Sequence, residues 1–224
     1  MISKNGTPFC EKFQDYYFSK HDPVGESKYV FIDGNRLPDR ILVEKTIHIA
    51  ETGFGLGRNF FTLVSWLKKN PNGASIHFHS VDKYPPDPEQ IRQALKQINL
   101  LHEEAEEFLS KYDPQNHKQI SLSLHKIKLT LNLHFADVMT LPSIVEAPFN
   151  AIFLDGFTPS LNAEMWKDEL FDKLVESSAD NVTFATYSAS SEVRKSLSRA
   201  GFLVEKRPGF YKREMLCGYL KKFN

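Results

Sequence analysis

From residue 46 onward, apolar positions along the chain switch repeatedly between two periods. "KTIHIAET" is a β-branched apolar run and predicts a strand. The turn "GFGLG" follows. In "RNFFTLVSWLKKN", Phe60, Leu63, Val64 and Leu67 then recur at helical spacing until "NPNG" stops the helix. "ASIHFHSVDK" alternates and ends in an acid, which predicts a second strand. "PDPEQIRQALKQINLLHEEAEEFLSKY" reads as one helix: Pro86 and Pro88 stand at its start, and Ile91, Leu95, Ile98 and Leu101 share a face. "KQISLSLHKIKLTLNLHFADV" alternates through two antiparallel strands, or through one strand that follows a hairpin. "FNAIFLDGF" is a short buried strand ending in Asp155, and "EMWKDELFDKLVESS" is helical. "NVTFATYS" is a strand, and "SSEVRKSLSRAG" is a helix with Gly201 at its C-terminal end. "FLVEKRPG" and "REMLCGYLKK" are final strands.

This alternation predicts an α/β fold, a Rossmann-like, mostly parallel sheet with helices on both faces and antiparallel strands at its C-terminal end. The first 45 residues differ. They are dense in aromatics and turn formers and show little helical periodicity; "KYVFID" reads as a short strand and "DGN" as a turn. Residues 1–45 are therefore expected to form a β-rich extension packed on a core of residues 46–224. No internal repeat or low-complexity linker divides the chain.

Composition narrows the class. A chain of 224 residues fits one domain with ample core. With 28 basic and 28 acidic side chains the net charge is zero, so a nucleic-acid partner would have to be held by a local patch. Cys10 and Cys217 form no metal cluster; free thiols in a reducing cytosol are expected, and the count alone leaves a disulfide open. The start "MISKNGTPFCEKF" lacks a signal-peptide apolar region, and no run approaches the ~18 apolar residues of a membrane span. The expected location is cytoplasmic, with no membrane partner.

The glycine turn carries the chemistry. Strand, glycine turn and helix make the first βα unit of a Rossmann-like domain. A dinucleotide site wants G-x-G-x-x-G, but its third glycine would fall on Arg58. Here Glu51 precedes Gly53, Gly55 and Gly57 in an E-x-G-x-G-x-G arrangement. That resembles the turn of S-adenosylmethionine (SAM) enzymes, whose cofactor has no phosphate. There the glycines let the chain pass beneath the ligand, the acid engages its cationic amino-acid end directly or through water, and a second acid grips the ribose hydroxyls. Asp82, in "HSVDKYP", has the second acid's place. The plainer readings are a tight turn without ligand and a strand-end cap.

Five ordered blocks sharpen this: "YYFSKHDPVGESKYVFIDGNRLPDR", "ETGFGLGRNF", "SVDKYP", "NLHFADV" and "KREMLCG", together with "FLDGFTPSLNAEMWKDELF". They resemble the methyltransferase domain of the bacterial tRNA 5-methylaminomethyl-2-thiouridine biosynthesis enzyme, the MnmC family. The resemblance implies a SAM-dependent N-methyltransferase that converts an aminomethyl group on the tRNA wobble uridine to methylaminomethyl. It implies the tRNA anticodon region as partner, and a fused or separate flavin-dependent oxidoreductase that supplies the amine. The chain ends without a second glycine fingerprint, as a stand-alone form or a fragment would. Leu56 and Arg58 stand where the family usually has Thr and Leu, and Leu161 replaces a usual lysine.

The expected cofactor set is Glu51, Gly53, Phe54, Gly55, Gly57, Asn59, Asp82, Lys83, Asp137, Asp155, Gly156 and Phe157. Asp137 would reach the adenine amino group, and Phe54 and Phe157 would wall the cofactor or uracil. Asp155 is the expected catalytic residue. Taking a proton from an alkylammonium (pKa ~10) onto an unperturbed carboxylate (~3.9) is uphill by roughly 8 kcal/mol. Asp155 is therefore expected to orient the amine and stabilise the ammonium that forms, with solvent taking the proton. Tyr29, Asn35, Lys212 and Arg213 are the expected substrate contacts. The last two lie in the basic stretch "EKRPGFYKRE", with Lys206, Arg207, Phe210 and Tyr211; Lys221 and Lys222 follow. A solvated basic hairpin is the plainer account. The eight histidines give no metal spacing; His77 and His79 share a strand face, where packing is expected. Still open are a small-molecule or protein amine as acceptor, a nicotinamide oxidoreductase, which the glycine spacing disfavours, and a non-catalytic binder on the same fold.

Overall fold

The computed structural model describes residues 2–4, 6–211 and 214–220. Eight strands form one sheet, and their order follows from the chain's alternation. The first core strand, β4 (Thr46–Glu51), lies in the middle. On one side follow β5 (Ser75–Val81), β7 (Leu129–His134) and the antiparallel edge β6 (Gln119–Leu124). On the other follow β8 (Phe149–Phe153) and β9 (Ser178–Thr186), both parallel to β4. The antiparallel β11 (Met215–Leu220) and β10 (Phe202–Arg207) complete that side. Five parallel strands thus carry antiparallel strands at both edges, as the alternation predicts.

Period-two burial decides which face each strand residue serves. Ile47 and Ile49 of β4 and Ile76 and Phe78 of β5 face α3 (Arg58–Lys69), α4 (Pro88–Gln97) and α5 (Glu103–Lys111). Ala50, Val81, Ile152 and Phe184 face α6 (Asp168–Glu176) and α7 (Ser191–Arg199). Asp87 starts α4 with a capping box, its carboxylate accepting from the Glu89 N–H and Gln90 reaching back to the Asp87 N–H. Both cysteines are free thiols. Among the described residues, no helix is long and apolar enough to cross a membrane.

Two sequence expectations need correction. The single long helix is two: α4 ends before Asn99, whose φ of 55° turns the chain left-handed, and α5 begins at Glu103. "KYVFID" is a π-helical turn, Lys28–Asp33, between α1 (Pro23–Ser27) and α2 (Leu37–Val43). Val30, Phe31 and Ile32 are all buried, and a short, wholly apolar run gives no period that separates strand from helix. Ahead of α1, β1 (Ile2–Lys4), β2 (Thr7–Cys10) and β3 (Asp15–Tyr16) form a separate three-stranded sheet.

Candidate active site

The C-terminal ends of β4, β5 and β8 open into one cavity of about 1470 Å³. Ligands of open α/β sheets bind at such strand ends. The first wall is the glycine turn. Gly55 and Gly57 adopt φ of 53° and 76°, a region that side chains with a Cβ avoid. A Cβ on Gly57 would also sit 3.0 Å from the Phe61 ring and 3.1 Å from Phe54. The Phe54 N–H bonds to the Val81 carbonyl at 3.0 Å, which ties the turn to the end of β5.

Asp82 follows β5. Its carboxylate accepts from the Gly55 N–H and the Tyr84 N–H, both at 2.8 Å. Burial pushes it up to about 6, against those two bonds, which pull it down. Asp137 caps a 3₁₀ turn by accepting from the Met139 N–H at 3.0 Å, and pairs with Lys83 at 2.8 Å. That ammonium holds the Asp137 carboxyl below its usual range, and Asp137 raises Lys83. All three side chains line the cavity.

Asp155 lies two residues past β8. Its Oδ1 accepts from the Gly156 N–H at 2.9 Å, and its Oδ2 accepts from Asn59 Nδ2 at 2.6 Å and Arg58 Nη2 at 3.1 Å. Every one of these partners is a donor, so the arrangement is built around an acceptor-only carboxylate. Its backbone is fixed too: Thr52 Oγ1 donates to the Asp155 carbonyl at 2.7 Å, and the Tyr187 hydroxyl donates to the Gly156 carbonyl.

Glu51 and Asn59 belong to the same network from behind. Glu51 pairs with Ser80 across the sheet register, and Ser80 Oγ and Asn59 Nδ2 donate to its carboxylate at 2.6 and 2.9 Å. Burial pushes Glu51 up to about 8. It is 1% exposed and lies outside the cavity wall, to which Asn59, its bonded neighbour, belongs. The Asn59 amide bridges Glu51 and Asp155, while Ser27 Oγ donates to its Oδ1 at 2.7 Å.

The N-terminal strands close the other side. Phe157 stacks on Phe13 at 4.7 Å and meets the edge of Tyr17 at 5.2 Å. The Thr158 N–H donates to Asp15 Oδ2 at 2.8 Å, and the Lys12 ammonium stands 3.0 Å from the Tyr84 ring centroid. The cavity thus gathers Gly53, Phe54, Gly55, Asn59, Asp82, Lys83, Asp137, Asp155, Gly156 and Phe157. Gly57, outside the cavity wall, is the N-cap of α3.

Two expected substrate contacts lie elsewhere. Asn35 is fully buried and outside the cavity wall, its amide donating to the Phe31 carbonyl at 3.0 Å. Tyr29 donates to the Pro208 carbonyl at 2.9 Å and packs on Phe210, outside the cavity wall. Lys212, Arg213, Lys221 and Lys222 lie outside the described residues. Lys206 pairs with Glu214, and Arg207 with Glu205, on the same hairpin. His77 stacks on His48 at 4.7 Å, with His79 beside them, as packing predicts.

Sequence reasoning passed over Glu26, Tyr187 and Asp15, and took Arg58 only as an odd residue in the glycine block. Arg58 had a signal: a cation at the first position of a helix opposes the dipole. Glu26, Asp15 and Tyr187 had none, because only the fold brings them to the cavity.

Comparison with known proteins agrees with this geometry. A family model described as S-adenosyl-L-methionine-dependent methyltransferase matches residues 99–221. The chain is 40% identical over 216 residues to the tRNA 5-methylaminomethyl-2-thiouridine biosynthesis bifunctional protein MnmC of Leptospira borgpetersenii, covering 95% of this chain and 33% of that protein. To the protein of the same name from Hydrogenovibrio crunogenus it is 35% identical over 219 residues, covering 96% of this chain and 32% of that one. It spans about a third of the length of these relatives. The crystal structure of MNMC2 from Aquifex aeolicus superimposes with a TM-score of 0.76 at 23% identity, covering 97% of this chain and 67% of that one, a likeness of fold.

Proposed function

The chain belongs to the S-adenosyl-L-methionine-dependent methyltransferase family, and on that premise we propose that it methylates the aminomethyl nitrogen of wobble 5-aminomethyl-(2-thio)uridine in tRNA. The observation that carries this reading is the match, over 95% of the chain, to proteins named for the biosynthesis of 5-methylaminomethyl-2-thiouridine, the product of that methylation. The cavity supports it: 1470 Å³ exceeds the roughly 300–1,000 Å³ of a single-ligand pocket, and gives room for cofactor and nucleoside together.

The residues present fit SAM. Two left-handed glycines leave the turn without side chains, and Asp82 faces the cavity at the end of β5. The glycine turn, Asp82 and Asp137 would hold the adenosine end. Glu51 would act on the amino-acid end through Asn59. When bound, SAM supplies a methyl group already activated on a sulfonium. Asp155 then orients the neutral amine and stabilises the ammonium that forms. Solvent takes the proton, because the Asp155 carboxylate is already engaged by three donors. Phe13, Tyr17 and Phe157 keep water from the reacting atoms. In this reading residues 1–45 are an extension over the site and 46–224 the methyltransferase domain. The reaction is cytoplasmic, and a flavin-dependent oxidoreductase, fused or separate, supplies the amine. Lys212 and Arg213 would meet tRNA phosphates.

The test is methyl transfer from labelled SAM to tRNA from a strain that accumulates aminomethyl-uridine, read by nucleoside mass spectrometry. That nucleoside should gain one methyl. Asp155→Asn should lower kcat by about 100-fold or more while SAM affinity holds. SAM binding without transfer to this tRNA would sink the reading and direct the assay to small-molecule and protein amines.

A further inference from the structure

Arg58 opens α3, where its charge opposes the helix dipole, yet its side chain is only 8% exposed. Its guanidinium reaches three partners from three parts of the chain. Nη1 faces Glu26 Oε2 of α1 at 3.3 Å, Nη2 faces Asp155 Oδ2 at 3.1 Å, and Nε donates to Asn59 Oδ1 at 3.2 Å. Glu26 is itself buried, its side chain 6% exposed. A buried Arg58–Glu26 pair that reaches the half-buried Asp155 is a poor device for stability, because desolvation offsets the attraction. What a guanidinium fork supplies better is fixed geometry.

The charges also suit the reaction. Glu26, Arg58 and Asp155 set two carboxyl groups against one guanidinium beside the cavity, an arrangement that complements a cationic product. The Asn59 amide also holds Asp155, but it is a neutral donor and is shared with Glu51.

We propose that Arg58 is a positioning residue for methyl transfer: clamped by Glu26, it holds the Asp155 carboxylate in the orientation that meets the acceptor amine. This rests on the reading that Asp155 faces that amine. It makes α1, which lies ahead of the sheet, part of the catalytic geometry.

The test compares wild type, Arg58→Leu, Arg58→Lys and the double variant Glu26→Gln, Arg58→Leu, measuring kcat, the KM for SAM and the melting temperature. Arg58→Leu should lose roughly 100-fold in kcat, the cost of about 1 Å of misplacement, with the SAM KM within about threefold. Arg58→Lys keeps the charge but not the fork and should recover about a tenth of wild-type kcat. The double variant leaves no buried carboxylate opposite a missing partner. It should melt near wild type yet stay as slow as Arg58→Leu, and it carries the test if the single variant does not fold. Arg58→Leu within about threefold of wild-type kcat would overturn the proposal. So would a double variant restored to wild-type kcat, since Arg58 would then serve only to neutralise Glu26. If wild type leaves the tRNA unmethylated, the tRNA reading fails on its own, and the same ratios are taken on whichever amine turns over. With no acceptor at all, crystal structures of wild type and Arg58→Leu decide: a carboxylate moved by about 1 Å supports the proposal, and one that stays in place overturns it.

Discussion

Glu51, Asp82, Asp137 and Asp155 crowd the ends of neighbouring strands, yet each meets a different environment. Asp137 shares the cavity rim with a lysine; Glu51 is held by a hydroxyl and an amide. The folded state therefore holds the Glu51 proton more tightly than the unfolded chain does, near 8 rather than 4.5. By linkage, the stability this contributes is fully present below about pH 4.5 and is lost as pH rises through about 8. Glu51→Gln removes the titration. Its urea midpoint should fall less than that of wild type between pH 5 and pH 9; parallel curves would show that Glu51 does not titrate there. At this scale the sequence was legible where chemistry is local. Gly53 to Gly57, Asp82 and Asp155 follow from their spacing to strand ends. Glu26 and Arg58 are 32 residues apart, and Arg58 and Asp155 are 97 apart, contacts that no local pattern encodes.

Elements were legible in proportion to their period. β4, α3, β5 and the strands beyond show clear alternation or helical spacing, and the structure keeps each of them. Boundaries failed where a backbone choice outranked side-chain pattern, as at Asn99, or where a run was apolar throughout, as at Val30 to Ile32. The glycine turn is the element whose backbone most restricts its sequence. Gly57→Ala must hold φ near 76° with a Cβ against Phe61 and Phe54. The left-handed conformation costs roughly 1–2 kcal/mol. For a chain of this size that lowers Tm by roughly 2–8 °C, and SAM affinity should fall with it. An unchanged Tm in a differential scanning measurement would mean that the turn relaxes freely.

Over the whole molecule, the two faces of the sheet differ in charge response. One, beneath α3 to α5, is aliphatic and aromatic up to Glu51 at the end of β4. The other carries His48, His77 and His79 side by side, with His134 on β7. Burial lowers His48, His79 and His134, His79 to about 4. A depressed histidine contributes stability that is present above about pH 6.5 and lost as pH falls toward about 4. His79→Gln should therefore unfold less steeply than wild type over that window, followed by circular dichroism. A variant that tracks wild type there would remove His79 from acid unfolding.

The strand order reaches beyond the folded protein to the moment of synthesis. β4, the first strand of the sheet to leave the ribosome, lies at its middle; β5, β8 and β9 add outward from it, whereas the edge strand β6 is made before β7, through which it joins the sheet. β10 is made before β11 but touches the sheet only through it. Until β11 emerges, a nascent chain therefore carries the outer edge of β9 as an open ladder of backbone donors and acceptors, flanked by the buried apolar side chains Val182, Phe184 and Ala185. Between the emergence of β9 and that of β11 the growing polypeptide has a sticky edge on show, and that is the interval in which a chaperone, or another nascent copy, competes with β11.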